Sequence, residues 1–415
     1  MNALDHVLGR DWPQPDRDSL ARQPRATRLA LELLQSLEGG ALGVELPDGS
    51  QFRVGHGALV AHWRVRDAAV FERVLARGDI GLAEAWMDGQ WDCDELAALL
   101  TLLADNRGRL GRAVHGRRWA LLGHRLTHLL RANTRAGARR NIESHYDLGN
   151  DFYALWLDPT MSYSAALFAT AEESLEAAQR RKYRSILQQL GAQPGQRILE
   201  VGCGWGGFAE VAATEFGCTV LGITLSPAQL EFARARAAAG GWSAQAEFAL
   251  CDYRDVRGQY DHIVSIEMIE AVGERFWPTY FARLAAALKP GGRCVIQAIT
   301  IADALFDDYR RGTDFIQQYV FPGGMLPSPR ALQAQAGAAG LVLAGDVAFG
   351  ADYARTLRHW HEAFLGALGE VRRQGFTERF IALWRFYLAY CEAGFRSGSI
   401  DVHHYLLRHD GAVSA

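Results

Sequence analysis

The feature that most constrains the fold is the run Arg197-Ile-Leu-Glu-Val-Gly-Cys-Gly-Trp-Gly-Gly-Phe-Ala-Glu210. Three strand-type apolar residues, Ile198, Leu199 and Val201, lead into glycines at 202, 204, 206 and 207, and an amphipathic segment over 208–216 follows. A buried strand, a turn with few side chains in the way and a helix N-terminus are what a nucleotide-like ligand needs, because glycine lets backbone approach the ligand most closely. A dinucleotide would rest its pyrophosphate on the helix N-terminus. Glu200 instead puts a carboxylate just before the loop, which suits a cationic or amine-bearing ligand such as S-adenosylmethionine (SAM). A dinucleotide and a plain glycine turn without ligand are the alternatives.

The spacing of apolar runs around this loop predicts an α/β protein. After a helix over 175–190 ended by Gly191, strands are expected at 218–222, 248–250, 262–266 and 293–299. Ser226-Pro227 is a cap followed by a first-turn residue, and a further helix over 276–288 ends at the Pro290-Gly291-Gly292 turn. Strands alternating with helices mean a mostly parallel sheet covered on both faces. Pieces at 341–343 and near Val347 finish it, and the tail over 354–395 is helical and aromatic-rich. At 415 residues there is room for more. A loose polar arm is expected over 1–26, a small mixed α+β domain over 27–105, a basic amphipathic linker over 106–139 and the larger domain over 140–415. In the small domain, helices over 27–37, 68–76 and 96–103 flank strands at 42–46, 51–54 and 61–65.

The formal net charge of −3 argues against bulk nucleic-acid binding but hides local patches. In the linker, arginines stand at 107, 109, 112, 117, 118, 125, 131, 135, 139 and 140, with no acidic residue between Asp105 and Glu143. Leucines, Val114 and Trp119 are interleaved. A basic helix with an apolar stripe lies on anionic lipid, the charge attracting headgroups and the stripe entering the interface. The competing reading is a linker whose stripe packs on the protein. Nucleic acid is a weaker third, for want of a base-reading motif. The six cysteines have no paired spacing and read as reduced thiols of a cytosolic protein, not a disulfide framework or a zinc site. No signal peptide is visible, and no apolar run reaches the roughly 18 residues of a spanning helix.

Ligands of such a sheet sit beyond the carboxyl ends of its strands. The candidates there are the 202–207 loop, Thr224 with Gln229 for a ribose, Asp252 with Tyr253 for an adenine, and the Glu267-Met-Ile-Glu270 run. Each alone is more often a surface or cap residue; their succession at strand ends points to a ligand. Glu270 lies in an apolar stretch, 263–272, where a carboxylate needs a partner or has a raised pKa. A salt bridge to an arginine of the tail is the purely structural reading.

Longer motifs surround these residues. They are Asn141-Ile-Glu-Ser-His-Tyr-Asp-Leu-Gly-Asn-Asp-Phe152, Leu157-Asp-Pro-Thr-Met-Ser-Tyr-Ser164, the loop at 200–209 and Asp252-Tyr-Arg-Asp255. Val264-Ser-Ile-Glu-Met-Ile-Glu-Ala-Val-Gly273, Phe315-Ile-Gln-Gln-Tyr-Val-Phe-Pro-Gly-Gly324, Phe349-Gly-Ala-Asp-Tyr353 and Cys391-Glu-Ala-Gly-Phe-Arg396 follow. Through them, over roughly 75–415, the chain resembles the cyclopropane-fatty-acyl-phospholipid synthases and the related mycolic-acid methyltransferases.

The resemblance implies a SAM-dependent methyltransferase fold, Rossmann-like, with a mostly parallel seven-stranded sheet, helical insertions and a smaller mixed N-terminal domain. It implies a cytoplasmic enzyme peripheral to the inner face of the membrane, a phospholipid bilayer with unsaturated acyl chains as partner, and a homodimer among its assembly forms. The reaction implied moves the methyl of SAM onto a cis double bond of a phospholipid acyl chain. The SAM site maps onto Tyr163, Ser164, Gly202 and its loop, Thr224, Gln229 and Asp252; Glu200, Gly204, Gly206, Leu225, Tyr253 and Glu267 complete the expected set. Alkene attack leaves a carbocation, which aromatic faces stabilise; Phe315, Tyr319, Phe321, Tyr353, Trp384 and Tyr387 are candidates to line that cavity.

A base must then take a proton. In the family a bicarbonate is the implied base, held by a cysteine, a glutamate, a histidine, an isoleucine backbone group and a tyrosine. Glu270, Ile299 and Tyr353 match, whereas Ala165 stands at the cysteine position and Gln297 at the histidine position. The Gln297 side chain still donates a hydrogen bond; that of Ala165 cannot. Bicarbonate is therefore in question, and so is the product: a cyclopropane if the proton leaves the transferred methyl, a methyl-branched alkene if it leaves a neighbouring chain carbon. A methyltransferase of soluble small molecules and a non-catalytic lipid-binding protein are the competing classes.

Overall fold

The computed structural model describes residues 12–114 and 148–409, except the side chains of 112–114. Most of the basic segment, 115–140, and the start of the first family motif, 141–147, lie outside the described residues, as do 1–11 and 410–415.

From Trp12 onward the expected loose arm is folded, a correction with a clear cause. Trp12 is buried, and its ring lies so close to Gly43 that a Cβ there would come within 2.9 Å of it. Asp16 then caps α1 (Arg17–Ala21) in a capping box with Ser19. After α2 (Arg25–Leu34) come β1 (Gly40–Glu45), β2 (Gln51–His56) and β3 (Leu59–Val65), then α3 (Ala69–Met87), β4 (Trp91–Cys93), α4 (Leu96–Asp105) and α5 (Arg107–Val114). The strands form one sheet in the order β2-β1-β3-β4. Gly78, with φ 59° and ψ −132°, breaks α3 where the sequence pattern stops, and a second helical stretch continues to Met87.

The larger unit begins with α6 (Asn150–Ala154) and α7 (Leu175–Leu190), the latter capped by Ser174 and stopped by left-handed Gly191. There follow β5 (Arg197–Val201), α8 (Gly207–Thr214), β6 (Thr219–Thr224), α9 (Pro227–Gly240), β7 (Ala246–Leu250), β8 (Tyr260–Ile266), α10 (Ile269–Val272), α11 (Trp277–Ala287) and β9 (Leu288–Ile301). Then come α12 (Asp303–Arg311), α13 (Phe315–Tyr319), α14 (Pro329–Ala338), β10 (Leu341–Ala348), α15 (Gly350–Gly366), α16 (Leu368–Arg373), α17 (Glu378–Arg396) and β11 (Ile400–His409).

The seven strands run in the order β10-β11-β9-β8-β5-β6-β7. β9, β8, β5, β6 and β7 run parallel to one another, while β11 is antiparallel to both β9 and β10. This is a Rossmann-like, mostly parallel sheet with helical insertions and a smaller N-terminal unit. The sequence pattern misses β11, because its polar residues His403, His404 and Arg408 mask a strand whose Val402, Tyr405 and Leu407 are fully buried. The pieces near 341 and 347 are one edge strand with a register shift between Leu343 and Gly345.

The two units share one hydrophobic cluster, in which α17 packs against α4 and α3. Polar contacts pin the same seam: Trp86 Nε1 donates to Ala382 O at 2.8 Å, Tyr319 Oη to Glu84 Oε1 at 2.5 Å and Tyr390 Oη to Asp79 Oδ2 at 2.8 Å. Among the described residues no helix is long and apolar enough to cross a membrane, and no group of acidic, histidine and cysteine side chains has a metal-holding arrangement. All six cysteines are free thiols.

Candidate active site

The β5–α8 turn makes a crevice at the carboxyl edge of the sheet. Gly202, Gly204 and Gly206 all have left-handed φ, of 83°, 51° and 84°. Gly202 also has no room for a side chain, since a Cβ would lie 2.4 Å from Met268 Cγ. Glu200, at the base of the crevice, is 3% exposed, and its Oε2 has no hydrogen-bond partner. Burial holds its carboxyl well above the usual carboxylate range, with Lys182 opposing the shift. An orphaned buried acceptor beside a glycine cradle fits an amine-bearing ligand. SAM, whose aminoacyl end carries such a group, would be held by Glu200, the 202–207 loop and the residues that close it. Across the crevice, Thr224 Oγ1 donates to Gln229 Oε1 at 2.9 Å, and Tyr163, Ser164, Leu225 and Tyr253 complete the wall. Gly206 and Asp252 are not on it. Gly206 turns the chain beneath Ala233 and Phe248, and Asp252 is gripped by Arg254 through Nε at 2.8 Å and Nη2 at 2.5 Å. The adenine role expected of Asp252 therefore meets a carboxylate already engaged by its own neighbour, and Cys251 and Tyr253 line the cavity instead.

At the next strand end the chain does something the sequence does not announce. Glu267, directly after β8, has φ 50°, one of two non-glycine residues with positive φ among those described. That conformation, costly for a side chain with a Cβ, turns the backbone out of the sheet into α10 and aims the carboxylate inward. Glu267 Oε1 accepts from the Ala165 backbone N–H at 2.8 Å and from Gln297 Nε2 at 2.7 Å, and Oε2 accepts from Tyr353 Oη at 2.7 Å. Glu270, one helical turn on, accepts from the Ile299 N–H at 2.5 Å and leaves Oε2 without a partner. No arginine pairs with Glu270 among the described residues. Both carboxyls face the same cavity. Burial pushes Glu267 upward against its three donors, and burial together with the Glu267 charge pushes Glu270 up to about 8. A proton on Glu270 removes the repulsion between the two buried carboxylates.

The structure therefore brings Ala165, Gln297, Ile299, Tyr353 and Glu270 together, as the sequence reading expects, but with Glu267 in their midst. The donors expected to hold a bicarbonate are engaged by the protein's own carboxylates. As it stands, this pocket does not fit that anion.

Two residues that sequence reasoning does not single out hold the arrangement. Lys182, fully buried on α7, donates to Ser164 Oγ and to Gln179 Oε1, both at 2.6 Å, and Gln179 Nε2 donates to Ser164 O at 2.8 Å. They fix the segment that presents the Ala165 N–H. Burial brings Lys182 down to about 8, with Glu267, Asp158 and Glu200 opposing. On β11, His404 lies 3.0 Å from Gln297 Oε1 through Nε2 and 3.0 Å from Gln189 Nε2 through Nδ1. Burial brings it down to about 3, so it is neutral. The Gln189 amide donates to Nδ1 and Nε2–H donates to Gln297, which orients the Gln297 amide with its NH2 toward Glu267. Lysine is present only at 182 and 289, a signal available in the sequence; His404 carried none, because its strand was not legible.

Of the aromatic residues expected in the substrate cavity, Phe321, Tyr353 and Tyr387 line it, with Tyr387 and Tyr163 sharing a hydrogen bond at 2.7 Å. Phe315, Tyr319 and Trp384 do not. Phe315 packs edge-on to Phe386 and Trp384 on Phe152, both in the core, and Tyr319 is turned to Glu84. On α17 the cavity face is Tyr387, Tyr390, Cys391 and Gly394; Trp384 lies one turn before it.

The family description "Mycolic acid cyclopropane synthetase" matches residues 133–405. A tuberculostearic acid methyltransferase of Mycobacterium tuberculosis is 41% identical over 399 residues, covering 93% of this chain and 89% of the relative. The cyclopropane-fatty-acyl-phospholipid synthase of Escherichia coli is 35% identical over 384 residues, covering 86% and 94%. Among solved structures, the cyclopropane synthase MmaA2 of Mycobacterium tuberculosis superposes with a TM-score of 0.61 at 31% identity, over 65% of this chain and 97% of that one.

Proposed function

As a member of the mycolic acid cyclopropane synthetase family, the chain is a SAM-dependent methyltransferase of lipid-like substrates, and we propose that it methylates a cis alkene in a phospholipid acyl chain with Glu267 as the base. The observation that carries this reading is the Glu267 carboxylate, set among Ala165, Gln297 and Tyr353 in the cavity that the glycine crevice opens into. An alkene is a poor nucleophile, so the site must align it and exclude water. When bound, SAM supplies an electrophilic methyl, and the alkene that accepts it becomes a carbocation. Tyr353, Tyr387 and Phe321 line the cavity in which that charge would form, and aromatic rings stabilise a cation beside them. Glu267 then takes a proton from carbon, restoring a neutral chain; its three donors fix the carboxylate, and Glu270 holds the neighbouring proton. No separate anion is needed.

The product we propose is a methyl-branched alkene, the proton leaving a chain carbon. Ala165 and Gln297, at the positions where the resemblance implies a cysteine and a histidine, support it, as does the word methyltransferase in the name of the relative matched over 93% of the chain. Ring closure is the second reading, favoured by the relatives named as cyclopropane synthases. Binding to an anionic bilayer through the arginine-rich segment after Asp105, on the cytoplasmic side, and a homodimer belong to the same proposal.

The test is turnover of vesicles containing cis-Δ9 phospholipid with SAM bearing a trideuterated methyl. A product with vinylic proton signals and all three deuteriums is expected. A cyclopropyl signal with one deuterium lost overturns the branched product, and unlabelled lipid overturns the reading altogether.

A further inference from the structure

The cavity that holds Glu267 and the glycine crevice does not end in the larger unit. It has a volume of about 820 Å³ and continues past Tyr387 and Tyr390 into the N-terminal unit, between α2, α3, α4 and α5. There its floor is Leu34, Trp63, Phe71, Leu82 and Leu100, all at most 6% exposed. The N-terminal unit places two charged side chains on the wall, Asp79 and Arg107. Asp79 stands at the seam, directly after the α3 break at Gly78, and accepts from the Phe315 N–H at 3.2 Å and from Tyr390 Oη at 2.8 Å. The wall is thus tied to the larger unit at a fixed distance from the reacting groups.

We propose that this apolar end is the subsite for the methyl-terminal stretch of the acyl chain, so that the N-terminal unit measures the carbons beyond the alkene. The inference rests on the reading that an acyl alkene is the substrate. Against the Leu34, Phe71, Leu82 and Leu100 side chains an ester or phosphate would lose its hydrogen bonds to water without replacement, whereas a saturated hydrocarbon end gains by leaving water. The headgroup end of the lipid therefore points the other way.

The full chain is labelled with vesicles whose phospholipid carries a cis-Δ9 18-carbon chain with a diazirine at its methyl end. Irradiation is expected to crosslink residues within 30–34, 71–82 or 100–111, and excess unlabelled lipid to compete. Crosslinks confined to 301–326, or labelling that does not saturate, overturn the proposal. Labelling needs no turnover: a protein labelled in the N-terminal unit that never methylates lipid refutes the proposed reaction and leaves the subsite standing. A protein that methylates but is labelled elsewhere does the opposite. As a second arm, Leu103→Trp narrows the N-terminal end of the cavity, which Leu103 lines. The ratio of kcat/KM for cis-Δ9 18-carbon over cis-Δ9 16-carbon chains is expected to fall at least about tenfold, with SAM affinity unchanged. An equal loss on both chains overturns the ruler.

Discussion

Replacing Glu267 by glycine isolates the claim that a protein carboxylate stands in for a bound anion. The substitution removes the base and leaves three donors, the Ala165 N–H, Gln297 Nε2 and Tyr353 Oη, around a hole of carboxylate shape. Loss of a positioned base costs about 10²- to 10⁴-fold in rate, which is about 3–5 kcal/mol of barrier. Stability changes less. The donors lose partners worth about 1.5–3 kcal/mol each in hydrogen bonds to a charged group, but the site opens on a cavity where water replaces them. Glycine at φ 50° also relieves a strain of about 1–2 kcal/mol. The assay is transfer of labelled methyl to vesicle lipid, with and without bicarbonate or formate. Glu267→Gly is expected to be slow alone and to recover at least tenfold with either anion, with SAM affinity unchanged. Glu267→Gln, which fills the hole without supplying a base, is expected to be equally slow and not to respond. Full activity in Glu267→Gly without added anion, or equal rescue of both variants, would refute the reasoning.

Three further outcomes follow from the same geometry. Glu270 is raised from 4.5 to about 8, so the folded protein holds a proton that the unfolded chain releases. Its contribution is present below about pH 4.5 and lost as pH rises through 8; Glu270→Gln is therefore expected to flatten the fall in Tm over that interval, and an unchanged slope rejects the assignment. His404→Ala frees the Gln297 amide to rotate and is expected to lower kcat about tenfold while SAM affinity, measured by calorimetry, stays within twofold; loss of both together would make His404 merely structural. Gly202→Ala would set a Cβ 2.4 Å from Met268 Cγ at a φ of 83°, and SAM affinity is expected to fall more than tenfold with the secondary structure, read by circular dichroism, intact.

The path from sequence to site was legible where the signal was local. The 197–210 run specifies strand, tight turn and helix because apolar period, glycine and cap are properties of neighbours in sequence, and the parallel sheet follows from repeating that unit. Gly191 ends α7 for the same reason. Trp12 and β11 were not legible: a lone aromatic in a proline-rich stretch and a strand studded with histidines acquire meaning only from what they pack against.

Sequence alone thus determined the parallel part of the sheet, the cofactor turn and the presence of two carboxylates three residues apart. Through the resemblance it assigned Glu270 to the anion pocket and Glu267 to the cofactor set; both sit in the same apolar context, and nothing local shows which partners each meets. Tertiary structure decided. A left-handed backbone at 267 sends one carboxylate to Ala165, Gln297 and Tyr353, donors drawn from three separate segments, and the other to Ile299. His404, from a fourth segment, sets the orientation of the Gln297 amide. Ionisation of a buried acid depends on which dipoles and charges surround it in space, and that neighbourhood exists only once distant parts of the chain have met.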